Sequence, residues 1–117
     1  MSRCDVFFAL PVECWEALKA QATATQNAES KTFLDRIVEQ NLFDMSGEDW
    51  IWVHWHQVYW TSHDTYEIEL IEKYMAEDNA FEFVRLGYDD PNDYDHNHNH
   101  NGASVFSLRP TVDVMVE

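Results

Sequence analysis

Residues 49–60 read DWIWVHWHQVYW, a run of aromatic, β-branched and histidine side chains with little interruption. In a strand, successive side chains point to opposite faces of the sheet. One face then carries Ile51, Val53, Trp55 and Tyr59, and the other carries Trp50, Trp52, His54, His56, Val58 and Trp60. Because both faces are apolar, the run predicts a strand that is covered on both sides, near the centre of a sheet.

The residues before this strand predict one further strand and two helices. Residues 4–10, CDVFFAL, are rich in β-favouring side chains and end at Pro11, which stops a strand and can open a helix. Apolar residues recur at steps of three and four over 12–25 and over 33–42. The expected buried positions are Val12, Trp15, Leu18 and Ala22 on the first helix, and Phe33, Leu34, Ile37, Val38 and Leu42 on the second.

The residues after it predict a third helix and two more strands. The helix is expected to begin near Ser62–Asp64, because Asp64 and Glu67 resemble a capping box. FEFVRL, residues 81–86, reads as a strand, and a last strand is expected across 105–116. The predicted fold is a single α+β domain with the order β-α-α-β-α-β-β, in which three helices pack on a mainly antiparallel sheet of about four strands.

The length of 117 residues fits one domain, 1–117, in which 5–43 form a strand-helix-helix unit and 49–117 a sheet and helix unit. There is no apolar run long enough to span a membrane, and the N-terminus does not resemble a secretory signal. The two cysteines, Cys4 and Cys14, are expected to be buried thiols, which suits a reducing compartment. A cytoplasmic location is therefore expected.

The charge is strongly acidic and unevenly distributed. Seven Lys and Arg side chains stand against 22 Asp and Glu, which gives a net charge of −15. Residues 1–45 hold four basic and seven acidic side chains, whereas residues 46–117 hold three and 15. A field of this sign repels phosphate backbones and attracts basic surfaces, so direct nucleic-acid binding is disfavoured and a basic protein partner is favoured. The alternative is that the acidity only keeps an aromatic-rich protein in solution.

Residues 5–43 resemble a ribbon-helix-helix unit. The likeness lies in the short apolar strand, the helix start LPVECWEALKAQA, the polar break TQNAES and the second helix TFLDRIVEQNL. The resemblance implies a homodimer that pairs residues 4–10 of two chains and inserts that ribbon into the DNA major groove. However, the outward positions here are Asp5, Phe7 and Ala9, which offer no donor to a base edge. Base readout is therefore not expected of this strand.

Histidines supply the candidate metal ligands. His96, His98 and His100 alternate with asparagines in the acidic stretch YDDPNDYDHNHNHNG, residues 88–102, and imidazole suits Zn²⁺, Ni²⁺ or Cu²⁺. The favoured interpretation of this stretch is nevertheless a mobile, solvated loop over 87–104. His54 and His56 share one strand face and could chelate a metal if a neighbour supplied a third ligand, which the sequence does not identify.

The sequence contains no nucleophile motif and no phosphate-binding glycine loop, so a non-enzymatic protein without a cofactor is expected. The preferred hypothesis is an inhibitor that occupies the basic surface of a nucleic-acid-handling protein, as a DNA mimic would. In size and charge the chain is similar to small acidic inhibitors of phages and mobile elements, including anti-CRISPR and anti-restriction proteins. The candidate contact residues are Glu67, Glu69, Glu72, Asp89, Asp90, Asp93, Asp95, Trp52 and Tyr88. The alternatives are a ribbon-helix-helix regulator or antitoxin and a metal-binding protein.

Overall fold

The computed structural model describes residues 3–25, 36–60, 66–88, 90, 92–108 and 114–116. Two helices and seven strands lie within these ranges. In chain order they are β1 (Cys4–Pro11), α1 (Val12–Thr25), β2 (Ile37–Met45), β3 (Glu48–Val58), α2 (Tyr66–Ala76), β4 (Phe81–Gly87), β5 (Tyr94–Asn99), β6 (Phe106–Leu108) and β7 (Val114–Val116). Neither helix in the described ranges is long and apolar enough to cross a membrane.

Five of the strands form one antiparallel sheet in the order β2-β3-β1-β4-β5, and β6 pairs separately with β7. The central strand, β1, is hydrogen-bonded to β3 on one side and to β4 on the other. Both of its edges are thus occupied within the chain. Pairing β1 with a second copy of the chain would require one of these two ladders to open.

The expectation of three helices and about four strands is wrong. The described residues form a five-stranded sheet with two helices, and the second predicted helix is replaced from Ile37 onward by β2. The first predicted helix is confirmed as α1, and the capping position Asp64 lies outside the described residues. The helical period over 33–42 was outweighed by the hairpin that joins β2 to β3, since tertiary pairing commonly overrides weak helix propensity.

That hairpin is set by the two residues between the strands. Ser46 and Gly47 both have positive φ, 53° and 85°, as a two-residue turn between twisted strands requires. Met45 lies opposite Glu48, and the register places Phe43 opposite Trp50. Alternate side chains of β2 consequently meet the aromatic strand, with the rings of Phe43 and Trp50 6.2 Å apart.

The C-terminal part of the chain also differs from expectation. The stretch predicted as a loop over 87–104 contains an edge strand, β5, which pairs with β4 over Tyr94–Asn99. The predicted single strand over 105–116 is two short strands, β6 and β7. The alternation of histidine and asparagine is thus a strand period. The strand was missed because asparagine and aspartate are poor strand formers. An edge strand tolerates them when its partner strand holds it in place.

Both faces of the sheet are covered. The helix face carries the larger core, in which α1 and α2 pack on β1, β3 and β4. Trp15 of α1 meets Trp55 of β3 edge to face at 6.3 Å, and Tyr74 of α2 meets Phe8 of β1 at 6.1 Å. All four of these rings are at most 8% exposed. Such aromatic pairs contribute by their buried area and by edge-to-face geometry.

The opposite side of the sheet, which we call the histidine face, carries a smaller core. It consists of Ala9, Trp50, Trp52, Val84, Leu86, Val105 and Phe106. Phe106 follows the edge strand and folds back over the sheet, where its ring contacts Trp52 edge to face at 6.3 Å. The expectation that the aromatic strand is covered on both sides is confirmed, as are the positions of Asp5 and Phe7 on the side away from the helices.

One irregularity changes the side on which the last residues of β3 lie. Val6 pairs with Trp55 but Cys4 pairs with Val58, so Asp5 stands opposite two residues, His56 and Gln57. This β-bulge shifts the alternation by one residue. Val58 and Trp60 therefore pack on the helix face, with the first core, and not beside the histidines as the period of two predicted.

The turn at Gly47 gives a direct test of the hairpin. A Cβ at this position would meet no atom within 4 Å, so a substitution is penalised only through its backbone conformation. Gly47→Ala is expected to lower the free energy of unfolding by about 1–2 kcal/mol, because an L-residue is strained at positive φ. Gly47→Asn should lose less, since asparagine adopts this conformation more readily. Urea unfolding measures both, and equal losses would contradict the turn assignment.

Candidate functional site

Glu82 of β4 lies on the histidine face, at the centre of a cluster of hydrogen bonds. Its carboxylate is fully buried, and five groups donate hydrogen bonds to it. The donors are Nε2 of His96 at 2.9 Å, Nε2 of His100 at 2.7 Å, Oγ of Ser104 at 2.7 Å, and the backbone N–H groups of Val105 at 2.9 Å and Phe106 at 3.0 Å. A buried carboxylate is tolerated only when it is satisfied in this way.

These bonds decide the ionisation state of Glu82. Burial alone would raise the pKa of the carboxyl, but the hydrogen bonds from Ser104, Val105, His100 and Phe106 outweigh it and lower the pKa to about 2. Glu82 is therefore an anion at every pH at which the protein is expected to work. The signal for this residue is a glutamate between two phenylalanines of a strand, which sequence reasoning missed.

The two histidines held by Glu82 are among the candidate metal ligands of the sequence, in a stretch whose favoured interpretation is a solvated loop. His96 and His100 each direct Nε2 to the buried carboxylate, and Nδ1 of His100 accepts the N–H of Gly102 at 3.2 Å. His98 lies between them on the exposed edge strand, with its ring centroid 6.1 Å from that of His96 and 5.4 Å from that of His100. The geometry gives this cluster a structural use, fastening β5 and residues 104–106 to the sheet.

A second, exposed set of carboxylates lies along α2 and the turn that follows it. Glu69, Glu77 and Asp78 are exposed and Glu72 is half-buried. None of the four forms an ion pair with a described residue, although Lys73 lies among them in sequence. We call this set the acidic surface. It borders β5, because the amide of Asn99 donates to the carboxylate of Asp78 at 3.1 Å.

An open groove of about 640 Å³ lies where the acidic surface meets β5. Its lining combines apolar and acidic side chains with the amides of the edge strand. The residues are Met75, Ala76, Glu77, Asp78, Phe81, Asn97, His98 and Asn99. A lining that combines apolar side chains with carboxylates suits a long basic side chain, which packs its stem on apolar surface and pairs its charge with an anion.

The acidic residues of the turn before β5 are partly neutralised within the chain. Arg85 donates to Asp93 and Asp95, with nitrogen–oxygen distances of 2.9 and 2.8 Å. The hydrogen bond that Arg85 donates to Asp93 lowers the pKa of the Asp93 carboxyl and raises the pKa of the Arg85 guanidinium. Asp90 is exposed and its carboxylate caps the N–H of Asn92 at 2.9 Å. Asp89 lies outside the described residues.

The remaining predicted contact residues do not join the acidic surface. Glu67 is 1% exposed, inside the helix layer next to Trp15 and Ile71, so the expectation that it faces solvent is wrong. Trp52 is 8% exposed and belongs to the core of the histidine face. Tyr88 is exposed, but it lies beside His56 with ring centroids 6.3 Å apart. The aromatic side chains and the exposed carboxylates are thus largely on different parts of the molecule.

A third polar group forms at the β-bulge between β1 and β3. Nδ1 of His56 lies 3.0 Å from Oδ1 of Asp5, and the N–H of Gln57 donates to the same oxygen at 2.9 Å. His54 stacks on Phe7 with ring centroids 4.1 Å apart, and burial lowers its pKa. The predicted pairing of His54 and His56 on one strand face is correct, and Asp5 is the neighbour that the sequence did not identify.

No family model, curated protein or solved structure matches this chain. Its function has to be argued from the side chains themselves.

The buried carboxylate predicts a pH-dependent contribution to stability. Because the pKa of Glu82 lies below the ordinary value of 4.5, its contribution is complete above that pH and is lost as the pH falls toward 2. A depression of this size corresponds to about 3 kcal/mol. Glu82→Gln should therefore lower the free energy of unfolding by about 3 kcal/mol at neutral pH, and the difference from wild type should shrink on acidification.

Urea unfolding at several pH values would measure this difference. The matched control is Glu69→Gln, which removes the same charge from an exposed site and should change stability by a few tenths of a kcal/mol at most. A wild-type advantage over Glu82→Gln that persisted unchanged to pH 2 would contradict the assignment.

Proposed function

We propose that this protein is a non-enzymatic inhibitor that binds, through its acidic surface, the basic nucleic-acid-binding surface of a partner protein. The observation that carries the proposal is the set of carboxylates on and after α2, at Glu69, Glu72, Glu77 and Asp78, which no described cation neutralises. Uncompensated like charges cost stability through mutual repulsion. A basic partner would relieve that repulsion on binding.

The groove beside the acidic surface supports the choice of a basic partner. Glu77 and Asp78 line it together with the apolar side chains of Met75 and Phe81. An arginine side chain meets both requirements, because its guanidinium pairs with carboxylates and its stem and planar head pack on apolar surface. Surfaces that bind nucleic acids are rich in arginine and lysine, so they offer such side chains in numbers.

Inhibition follows from competition for the same basic side chains. A partner whose arginines and lysines are occupied by Glu69, Glu77 and Asp78 cannot hold phosphates with them at the same time. The net charge of −15 would also speed association with a basic surface at low salt. The similarity in size and charge to small inhibitors of phages and mobile elements supports one form of the proposal, in which the protein acts in the cytoplasm of a bacterial host against a restriction or CRISPR-type nuclease.

The test is capture of partners from a nuclease-treated bacterial lysate by wild-type protein and by two charge-reversed variants. Glu69→Lys with Glu77→Lys changes the acidic surface. Glu39→Lys with Asp49→Lys makes the same change of charge at exposed sites on the β2–β3 hairpin. The first variant is expected to lose most captured basic protein, and the second to resemble wild type, because only the first removes the proposed contacts.

Added duplex DNA should displace the captured partner, and rising salt should weaken its binding to wild type more than to the first variant. Equal capture by both variants would mean that net charge alone, and not this surface, governs binding. A partner that held DNA and this protein together would contradict the proposal of a DNA mimic.

A further inference from the structure

We propose that Asp5, His54 and His56 form a binding site for a divalent transition metal ion, with Zn²⁺ as its simplest occupant. One ring nitrogen from each histidine and one carboxylate oxygen of Asp5 lie within 4.8 Å of one another. Among the described residues, this is the group in which three such ligand atoms converge. The proposal is independent of the acidic surface and of the inhibitor function.

The backbone positions the three ligands. His54 and His56 are two residues apart on β3, so their side chains share one side of the sheet. The β-bulge then brings Asp5 of β1 opposite His56 and Gln57, where φ of Gln57 is +50°. A non-glycine residue in this conformation is uncommon, and bulges of this kind often redirect a side chain toward a functional site.

The hydrogen bonds at the bulge fix Asp5 in place. The N–H of Gln57 donates to Oδ1 of Asp5 at 2.9 Å, which orients the carboxylate toward the histidines and leaves Oδ2 without a described donor. A backbone donor to a ligating carboxylate is the usual outer support of a metal site. The imidazole of His54 is positioned by a different contact, since it stacks on the ring of Phe7 with an interplanar angle of 8°.

His54 carries the clearest sign of an unmet requirement. Its Nε2 is buried and has no hydrogen-bond partner among the described residues. A buried polar atom without a hydrogen-bond partner costs free energy. A metal ion bound in the cluster would coordinate one ring nitrogen of His54 and so change which ring nitrogen needs a hydrogen-bond partner. His56 is half exposed, so solvent and an incoming ion can reach the cluster.

The ligand set selects the class of ion. Two imidazoles with one carboxylate suit Zn²⁺, Co²⁺, Ni²⁺ or Fe²⁺, whereas Mg²⁺ and Ca²⁺ prefer oxygen ligands. Bonds of about 2.0–2.2 Å to one ion require the three ligand atoms to approach within about 3.5 Å of one another. Nδ1 of His56 and Oδ1 of Asp5, 3.0 Å apart, already meet that requirement, so the approach still needed is that of His54. Three protein ligands leave further coordination positions open toward solvent.

The experiment is a Zn²⁺ titration of tag-free, chelator-treated full-length protein, followed by calorimetry and by NMR of the histidine side chains. Wild type should bind one ion, and the imidazole signals of His54 and His56 should shift first. Asp5→Asn keeps an oxygen that can accept from Gln57 but removes the charge. Both this variant and His54→Gln should weaken binding by at least about 100-fold.

The matched control is His98→Gln, which removes an exposed histidine from the other cluster and should change the affinity less than twofold. Circular dichroism of each variant establishes that it is folded. Loss of binding in His98→Gln, unchanged affinity in Asp5→Asn, or the absence of stoichiometric binding by wild type would each overturn the proposal. Displacement of Zn²⁺ by an excess of Mg²⁺ or Ca²⁺ would do the same.

Discussion

The carboxylate of Glu82 has no access to solvent, and five donors from residues 96–106 converge on it. Without them a buried anion on a central face of the sheet would be prohibitively unfavourable. With them it becomes a fastening point: the polar edge strand β5 is held to β4 through His96, and residues 104–106 are held over the sheet. Phe106 then covers Trp52, so the second core depends on a polar interaction at its margin.

The two layers of the molecule are therefore stabilised by different physics. The helix face is closed by aromatic and aliphatic packing, in which Trp15, Trp55 and Phe8 have no exposed surface. The histidine face is only partly apolar and relies on hydrogen bonds to charged groups, at Glu82 near β5 and at Asp5 near the bulge. Of the two, Glu82 has all its donors from the chain, whereas the group around Asp5 retains an unpartnered nitrogen on His54. This difference separates a structural cluster from a candidate ligand site.

The charged side chains are distributed differently from the side chains of the two apolar cores. The arginine of β4, Arg85, neutralises Asp93 and Asp95, and the buried Glu82 is satisfied by hydrogen bonds. The four carboxylates of the acidic surface have no such compensation among the described residues, and Glu77 and Asp78 line the groove beside β5. Exposed carboxylates also lie on the β2–β3 hairpin, at Glu39, Asp44, Glu48 and Asp49. The groove is what sets the acidic surface apart from them.

The amino-acid sequence alone predicts the elements whose patterns are local and strong: the strand at residues 4–10, the helix from Val12, the doubly covered strand at 49–60 and the strand at 81–86. It also predicts that His54 and His56 share one side, since that follows from the period of two. That Ile37–Met45 is a strand depends instead on its pairing with β3 across the turn at Ser46 and Gly47. Long-range pairing likewise made the histidine–asparagine stretch an edge strand, buried Glu67 and Glu82, and brought Asp5 to the histidines across a bulge. The hydrogen bonds at Glu82 and at Asp5 join residues 14 and 52 positions apart, which no local period can encode.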